Sequence, residues 1–171
     1  MPIYPYKDKQ PAIHPTAFLA PGARVVGDVA IGPRASLWFN AVARGDSSHV
    51  RVGADSNIQD CAVLHTDDGK PCVVEERCTV GHLAIVHGSR IGRGSLIGMG
   101  AIVLSGSVIG EESLVAAGTV VPEDRQFPPR CLLVGSPARV ARELSDDEVT
   151  RLLGPGVETY LRHIADYGPL T

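Results

Sequence analysis

Large aliphatic side chains recur at every sixth position along most of the chain, and this period limits the possible folds more than any other feature. A period of six fits neither the 3.6-residue repeat of an amphipathic helix nor the two-residue alternation of a plain strand. It does fit one short strand and one turn per repeat, with three repeats closing a triangular coil. The chain is therefore predicted to be an all-β solenoid, a parallel β-helix of hexapeptide repeats. The in-phase residues are Ile13, Leu19, Val25, Ile31, Leu37, Val52, Ile58, Leu64, Val74, Val80, Val86, Ile91, Ile97, Val103, Ile109, Val115 and Val121.

Two further positions of the repeat follow the same rhythm. A small side chain often stands four places after the aliphatic residue, where it is expected to fit the tight corner of the coil. Glycine often follows the aliphatic residue directly, and it is expected to supply unusual backbone angles there. The small residues are Ala17, Ala23, Ala35, Ser56, Cys78, Ser95, Ala101, Ser113 and Thr119, and the glycines are Gly32, Gly53, Gly81, Gly92, Gly98 and Gly110.

Charge and composition exclude some classes of partner. The 171 residues carry a formal net charge of −3, and they contain no basic stripe of the kind that binds nucleic acid. The longest apolar stretches are too short for a bilayer, and the opening MPIYPYKDKQ lacks the apolar core of a signal peptide. We therefore expect a cytoplasmic protein without nucleic-acid or membrane partners. The cysteines Cys61, Cys72, Cys78 and Cys131 show no CxxC spacing and are expected to be buried, reduced thiols.

The chain changes character after the last repeats. We divide it into an N-terminal segment at 1–10, the β-helix at 11–125, a closing turn and strand segment at 126–142, and a helical segment at 143–171 that packs on the solenoid. Ser145 and Glu148 form a capping-box pattern, which predicts a helix from near Asp146.

A second helical stretch is predicted after a break at the Gly-Pro-Gly of residues 154–156. It extends from Val157 to about Tyr167. An apolar stripe on this stretch is expected to pack against the outside of a solenoid, either its own or that of a neighbour. The stripe consists of Val157, Tyr160, Leu161 and Ile164.

Two interruptions of the repeat allow each residue to be assigned a face and a height. Three extra residues fall within Arg44–Arg51, and four fall in the loop Thr66–Pro71. With these set aside, Arg44, His65 and His87 stack in one outward column on successive coils. Asp60 and His82 form a second column on another face, because each stands two places after one of the stacked residues Ile58 and Val80. Gln59 lies beside this column, directly after Ile58.

The two columns predict a metal site that a single chain does not complete. Neighbouring strands lie about 4.8 Å apart, so His65 and His87 come within range of one shared ion. His82 would come from a neighbouring subunit, and a closed ring with this head-to-tail contact is a C3 trimer. Three neutral imidazoles are typical of catalytic zinc, although imidazole also suits Fe²⁺ or Co²⁺. His14, His49 and His163 are interpreted as ordinary surface or packing residues.

Several motifs resemble those of the gamma-class carbonic anhydrases. They are Arg44-Gly45-Asp46, Asn57-Ile58-Gln59-Asp60, Val63-Leu64-His65 and the segment from Gly81-His82 to Val86-His87-Gly88. With the repeat and the C-terminal helix, the resemblance covers nearly the whole chain. It implies a left-handed β-helix, a homotrimer, and zinc held at each interface by two histidines of one chain and one of the next. It also implies reversible hydration of CO2 to bicarbonate by hydroxide on the metal.

Carried over onto this sequence, the resemblance makes His65, His82 and His87 the metal ligands. Gln59 would orient the attacking hydroxide or the bicarbonate. Arg44 and Asp60 would form an ion pair across the interface, with Asp46 in support. Tyr160 resembles the family's active-site tyrosine, although a purely packing role on the apolar stripe is equally compatible with its position.

The chain departs from the family pattern at the positions that move protons. Archetypal members carry a long acidic loop and a glutamate after the Arg-Gly-Asp motif, whereas this chain has the short loop Thr66–Pro71 and Ser47. The partner residue two places after the tyrosine is Arg162 instead of asparagine. Three functions therefore stay open: a carbonic anhydrase, a catalytically weak or inactive metal-binding homologue, and an acyltransferase that uses one histidine as general base.

Overall fold

The computed structural model describes residues 3–168 and has the predicted fold, a left-handed parallel β-helix followed by a helical segment. Most strands are two or three residues long because each occupies one side of a triangular coil. The strands are β1 Ile3–Tyr4, β2 Ala12–Ile13, β3 Phe18–Leu19, β4 Arg24–Ile31, β5 Ser36–Leu37, β6 Val42–Val52, β7 Asn57–Ile58, β8 Val63–His65, β9 Cys72–Val74, β10 Thr79–Val80, β11 Ile85–His87, β12 Arg90–Ile91, β13 Leu96–Ile97, β14 Ile102–Val103, β15 Val108–Ile109, β16 Leu114–Val115, β17 Val120–Val121, β18 Gln126–Phe127, β19 Cys131–Val134 and β20 Arg139–Glu143.

The strands stack into three faces. The first face runs in the order β17-β14-β11-β8-β6, and the second runs β6-β9-β12-β15-β18. The third face runs β20-β19-β16-β13-β10-β7-β5-β3. The long strands β4 and β6 continue from the first face into the second and join them in one sheet. Only β20 pairs in the antiparallel sense among these neighbours, so it closes the stack on β19.

The predicted in-phase residues form the core of the solenoid. Fifteen of them are buried, from Val25 to Val121, and most have no exposed surface. Ile13 and Leu19 are only partly buried because they belong to the first coil, which has no coil below it to cover its end. Burying a Val, Leu or Ile side chain contributes about 1.5–3 kcal/mol, so this column is the main stabilising element of the fold.

The glycines that follow the in-phase residues have a different role from the predicted one. None of the six adopts positive φ; that conformation falls two residues later in each repeat, for example at Gly94 (φ +70°). Gly92 is small because the next coil passes against it: a Cβ there would lie 2.5 Å from the backbone nitrogen of Glu111. Close approach between coils, rather than backbone freedom, therefore accounts for glycine at this position.

The two insertions differ in structure. The first lies inside the continuous strand β6, where the pairing with β4 jumps from Gly45 to Val50. The second is a tight loop in which Asp67 and Lys70 exchange backbone hydrogen bonds of 3.3 and 3.0 Å. This loop lies between β8 and β9, next to the histidine column.

The helical segment begins as predicted but is not broken. α1 (Asp146–Glu148) has the capping box at Ser145, and a π-helical turn (Val149–Leu153) leads directly into α2 (Gly154–Tyr167). The predicted break at residues 154–156 is wrong because Pro155 lies in the first turn of α2, where its missing N–H is not needed. Residues 169–171 of the predicted helical segment and residues 1–2 of the N-terminal segment lie outside the described residues.

α2 packs on the third face of its own solenoid. Tyr160 and Ile164 lie against a cluster of Phe18, Ala20 and Trp38, with ring centroids of Trp38 and Tyr160 4.9 Å apart. Among the residues that the structure describes, no helix is both long and apolar enough to cross a membrane.

The cysteines follow the prediction with one exception. All four are free thiols, and Cys72, Cys78 and Cys131 are buried. Burial raises the pKa of Cys72 and of Cys78 to about 12, so both stay neutral. Cys61 is exposed, contrary to expectation, because it occupies a corner with φ of +60° that points its side chain outward.

Candidate metal centre

The strand register places the two predicted columns as expected. Leu64 pairs with Val86 and His65 pairs with His87 on adjacent strands β8 and β11 of the first face. Ile58 pairs with Val80 on the third face, where β7 lies beside β10.

The His65–His87 half-site consists of these two imidazoles and the groups that contact them. Nδ1 of His65 lies 2.9 Å from Nε2 of His87, and Nε2 of His65 lies 2.9 Å from Oδ1 of Asp46. Nδ1 of His87 lies 2.9 Å from the hydroxyl of Ser105 and 3.5 Å from Oδ2 of Asp67. Each ring therefore gives one nitrogen to a polar partner and turns the other toward its neighbour.

These contacts favour one tautomer of each ring in its neutral form. A carboxylate only accepts hydrogen bonds, so Nε2 of His65 carries the proton and donates it to Asp46. Ser105 donates its hydroxyl to Asp67, so its oxygen accepts from Nδ1 of His87. In this pair of tautomers the two facing nitrogens, Nδ1 of His65 and Nε2 of His87, would both present lone pairs, as a shared cation requires.

The His82 half-site lies at the edge of the third face. Nδ1 of His82 lies 2.9 Å from Oδ2 of Asp60, and its Nε2 lies 3.4 Å from the hydroxyl of Tyr160. The other oxygen of Asp60 accepts a 3.0 Å hydrogen bond from the backbone N–H of Phe39. Asp60 thus fixes the ring so that Nε2 presents a lone pair toward the surface.

Gln59 is held beside His82 by a buried polar chain. Its Oε1 accepts from the backbone N–H of His82 at 3.2 Å, and its Nε2 donates to Oδ1 of Asn57 at 3.1 Å. Asn57 in turn donates to the hydroxyl of Thr79 at 2.9 Å. This network leaves the second N–H of Gln59 as the group it can offer to a ligand.

Two titratable groups at the centre have shifted pKa values. Burial acts to raise the pKa of Asp46, but hydrogen bonds from His65 and Arg44 outweigh it and hold the pKa below its usual range. Burial, aided by the negative charge of Asp60, raises the pKa of Tyr160 to about 12. Asp46 is therefore an ionised acceptor, and Tyr160 is a neutral hydroxyl.

One chain brings its predicted site residues together in two separate groups. Within residues 3–168, no three His, Cys, Asp or Glu side chains come together as a set that could hold a metal ion. Arg44 bonds to Asp46 in its own chain rather than to Asp60. Both Arg44 and Asp60 keep about two-fifths of their side chains exposed, at 43% and 41%. The predicted Arg44–Asp60 pair between subunits stays a prediction.

The donor set fits zinc. Two imidazole nitrogens bound to one tetrahedral zinc at about 2.0–2.1 Å lie about 3.3 Å apart. The facing nitrogens of His65 and His87 are 2.9 Å apart, so a shift of a few tenths of an ångström suffices. Metal-bound histidines nearly always give their other nitrogen to a carboxylate or similar acceptor, as all three rings do here.

A groove of about 440 Å³ opens beside the His82 half-site, between the third face and α2. Its lining is mainly apolar and includes Leu96, Met99 and Leu114, with His82 and Tyr160 at one end. The groove therefore adjoins the His82 half-site, and its volume is much larger than that of a molecule of three heavy atoms.

The sequence interpretation missed two residues of the site. Ser105 follows Val103 by two places, and Val103 pairs with Val86, so the register alone places Ser105 beside the residue after His87. Asn57 stands in a recognised motif, but its role in holding Gln59 depends on the side chain of Thr79 one coil above.

Comparison with known proteins identifies the family of this chain. A family model described as bacterial transferase hexapeptide (six repeats) matches residues 88–123. The carbonic anhydrase of Geobacillus kaustophilus is 43% identical over 150 residues, which cover 88% of this chain and 82% of that protein. Gamma carbonic anhydrase 1, mitochondrial, of Arabidopsis thaliana is 40% identical over 148 residues, covering 83% of this chain and 54% of that protein.

A solved structure shares both the fold and much of the sequence. The crystal structure of a hexapeptide transferase family protein from Anaplasma phagocytophilum superposes with a TM-score of 0.92 at 35% identity, covering 97% of this chain and 98% of that one. The repeat, the two histidine half-sites and these relatives lead to one assignment. The chain belongs to the gamma-class carbonic anhydrase-like family of hexapeptide-repeat proteins.

Proposed function

We propose that this protein is a zinc-dependent carbonic anhydrase-like enzyme that hydrates CO2 reversibly to bicarbonate at the interfaces of a homotrimer. The His65–His87 half-site of one subunit would meet the His82 half-site of the next. One observation carries the proposal: each of the three rings has one nitrogen engaged by Asp46, Ser105 or Asp60, which leaves the other as a lone-pair donor. Fe²⁺ or Co²⁺ would suit the same donors.

Zinc held by His65, His87 and His82 would supply a water molecule acidic enough to act as a nucleophile near pH 7. The residues of the chain then bind and orient the substrate. The second N–H of Gln59 donates to bicarbonate, and its orientation is fixed by His82 and Asn57. Arg44, held by Asp46, supplies positive charge toward the product anion. Tyr160 acts as a hydrogen-bond donor because its pKa of about 12 keeps it neutral.

Proton release is the weak step of this scheme. The loop Thr66–Pro71 is short, and its carboxylate Asp67 is engaged by Ser105 rather than free to swing between the site and solvent. A fast hydrase must release one proton per turnover. We therefore expect slower turnover than in relatives with a long acidic loop, with a weak or inactive metal-binding homologue as the limiting case.

Acyl transfer is a second candidate because of one specific feature, the apolar groove beside His82. A groove of about 440 Å³ suits an acyl chain better than it suits CO2. The relative from Anaplasma phagocytophilum is described as a hexapeptide transferase family protein. In this case one histidine would act as general base, and no metal would be needed.

Metal content measured together with stopped-flow CO2 hydration tests the proposal. The wild type is compared with His82→Ala and with His14→Ala, a matched control whose ring hydrogen-bonds to Thr16 on the surface. We expect about one zinc per chain and measurable turnover in the wild type and the control, and loss of both in His82→Ala. Full metal content without turnover would make the protein an inactive homologue. Absence of metal binding would contradict the proposal, and acetyl-coenzyme A binding would then support the acyltransferase.

A further inference from the structure

The loop Thr66–Pro71 is held beside the histidine column by side-chain contacts to later coils. Lys70 bonds to Asp124 at 2.9 Å, three coils further along, and Asp67 bonds to the hydroxyl of Ser105. Ser105 itself is buried, with 3% of its surface exposed. The loop therefore brings a carboxylate to a buried hydroxyl that lies directly against His87.

The three groups form a chain with a defined direction. Asp67 can only accept, so the hydroxyl hydrogen of Ser105 points to Asp67. The oxygen of Ser105 then accepts from Nδ1 of His87, 2.9 Å away. Without Asp67, the Ser105 hydroxyl would be able to rotate and donate to Nδ1, which would move the ring proton to Nε2.

We propose that Ser105 and Asp67 are positioning residues for His87: they hold its proton on Nδ1 and so keep Nε2 as a lone-pair donor facing His65. Ser105 acts by direct contact with the ring, and Asp67 acts through Ser105. The importance of this arrangement for metal binding rests on the proposed function. The tautomer of His87 itself does not.

The packing next to His87 supports a dedicated contact. Gly88 has φ of +51°, and a Cβ there would lie 2.7 Å from the Ser105 hydroxyl oxygen. A side chain at position 88 would therefore displace the hydroxyl that His87 contacts. The residue after the histidine is small, and the chain turns there so that the serine can reach the ring.

Ser105 and Asp67 differ in solvent exposure, and this difference predicts which substitution has the larger effect on His87. The Asp67 side chain is 53% exposed, so water can replace part of its interaction with Ser105. Ser105 is buried, so water is less able to replace its contact with His87. Loss of Ser105 is therefore expected to have the larger effect.

The first test reads the tautomer directly in metal-free protein. Nitrogen-15 NMR of histidine-labelled protein distinguishes Nδ1–H from Nε2–H, and His87→Gln identifies the resonances. We expect the Nδ1–H form of His87 in the wild type and a shift toward Nε2–H in Ser105→Ala and Asp67→Ala. Ser105→Thr, which keeps the hydroxyl, is expected to restore the wild-type form. A wild type with the proton on Nε2, or a Ser105→Ala spectrum that matches the wild type, would overturn the proposal.

The second test measures zinc affinity by competition with a chelator. Loss of a group that orients a metal-bound histidine weakens metal binding by about 10- to 100-fold, and we expect this range for Ser105→Ala and a smaller loss for Asp67→Ala. Ser107→Ala is the matched control, because Ser107 lies on the same coil as Ser105 but its hydroxyl contacts the carbonyl oxygens of Leu104 and of Pro122 on the next coil. Asp68→Ala is the control for the loop carboxylate.

The two tests separate this proposal from the proposed function. A wild type that binds no zinc but shows the Nδ1–H tautomer, lost in Ser105→Ala, would contradict the metal site and leave the positioning role of Ser105 supported. Equal zinc affinity of Ser105→Ala and Ser107→Ala would overturn the positioning role while leaving the metal site intact.

Discussion

Nδ1 of His65 and Nε2 of His87 face each other at 2.9 Å across adjacent coils. Two lone pairs at this distance repel each other unless a proton or a cation lies between them. The arrangement is maintained from outside by Asp46 on one ring and Ser105 on the other. The pair is therefore poised to bind a positive ion rather than to stabilise the solenoid on its own.

Zinc is accordingly expected to stabilise the folded protein. An ion present at 100 times its dissociation constant adds about 2.7 kcal/mol to the free energy of unfolding, because it binds only the folded state. Thermal unfolding with and without zinc checks this. The wild type should show a higher Tm with zinc and His65→Ala should not. An equal rise in both would place the ion elsewhere.

Replacing Tyr160 by Phe separates the two roles assigned to this residue. The ring packs edge-on against Trp38, which Phe can also do, so we expect little change in Tm. The hydroxyl near Nε2 of His82 is lost, and we expect kcat/KM for CO2 hydration to fall about two- to tenfold, the equivalent of one net hydrogen bond. Unchanged kinetics in Tyr160→Phe, with a lower Tm in Tyr160→Ala, would leave Tyr160 a packing residue only.

The capping box at the start of α1 predicts a pH-dependent contribution to stability. Hydrogen bonds from Arg142 and from the backbone of Ser145 lower the pKa of Glu148 from 4.5 to about 2. Because the pKa is lower in the folded state, the ionised carboxylate stabilises the protein fully above the usual pKa. This contribution is lost as the pH falls from 4.5 toward about 2.

The measurement is the difference in Tm between the wild type and Glu148→Gln. It should be greatest near pH 7 and smaller near pH 3, which is about one unit above the folded pKa. Asp147→Asn controls for the loss of a negative charge in the same helical turn. A difference that stays constant with pH would show that the carboxylate charge does not contribute.

Two glycines of one corner are expected to respond differently to alanine. Gly94 has positive φ but only ordinary contact with Glu112, so Gly94→Ala is expected to cost about 1–2 kcal/mol from backbone strain. A Cβ at Gly92 would lie 2.5 Å from the backbone nitrogen of Glu111, which cannot move without opening the stack of coils. Urea unfolding should show the larger loss for Gly92→Ala. The reverse order would contradict the close-approach explanation.

Much of the architecture was predictable because the repeat carries register information. Once the extra residues at 44–51 and 66–71 are set aside, counting in sixes pairs His65 with His87 and Ile58 with Val80, as the strands do. Each buried aliphatic residue indicates the same strand register, so a wrong register at one coil would conflict with the aliphatic positions of the next coil.

The parts that were missed depend on contacts that a period does not encode. Pro155 reads as a helix breaker, yet it lies in the first turn of α2, where proline is tolerated. The repeat gives no position for Asp67 because it lies in an inserted loop, yet a two-residue turn and the Lys70–Asp124 pair place it against Ser105. The glycines after the in-phase residues read as sites of unusual φ, but the distance between coils explains them instead.

Mixing two defective variants tests the shared centre most directly. His65→Ala lacks the first half-site and His82→Ala lacks the second, so neither should retain zinc alone against a chelator. Random co-assembly of equal amounts completes about a quarter of the interfaces of a C3 trimer, because an intact His65–His87 pair must meet an intact His82. We predict that the co-assembled mixture retains zinc at about a quarter of the wild-type level. A mixture that retains no more zinc than the separate variants would contradict a metal centre built from two chains.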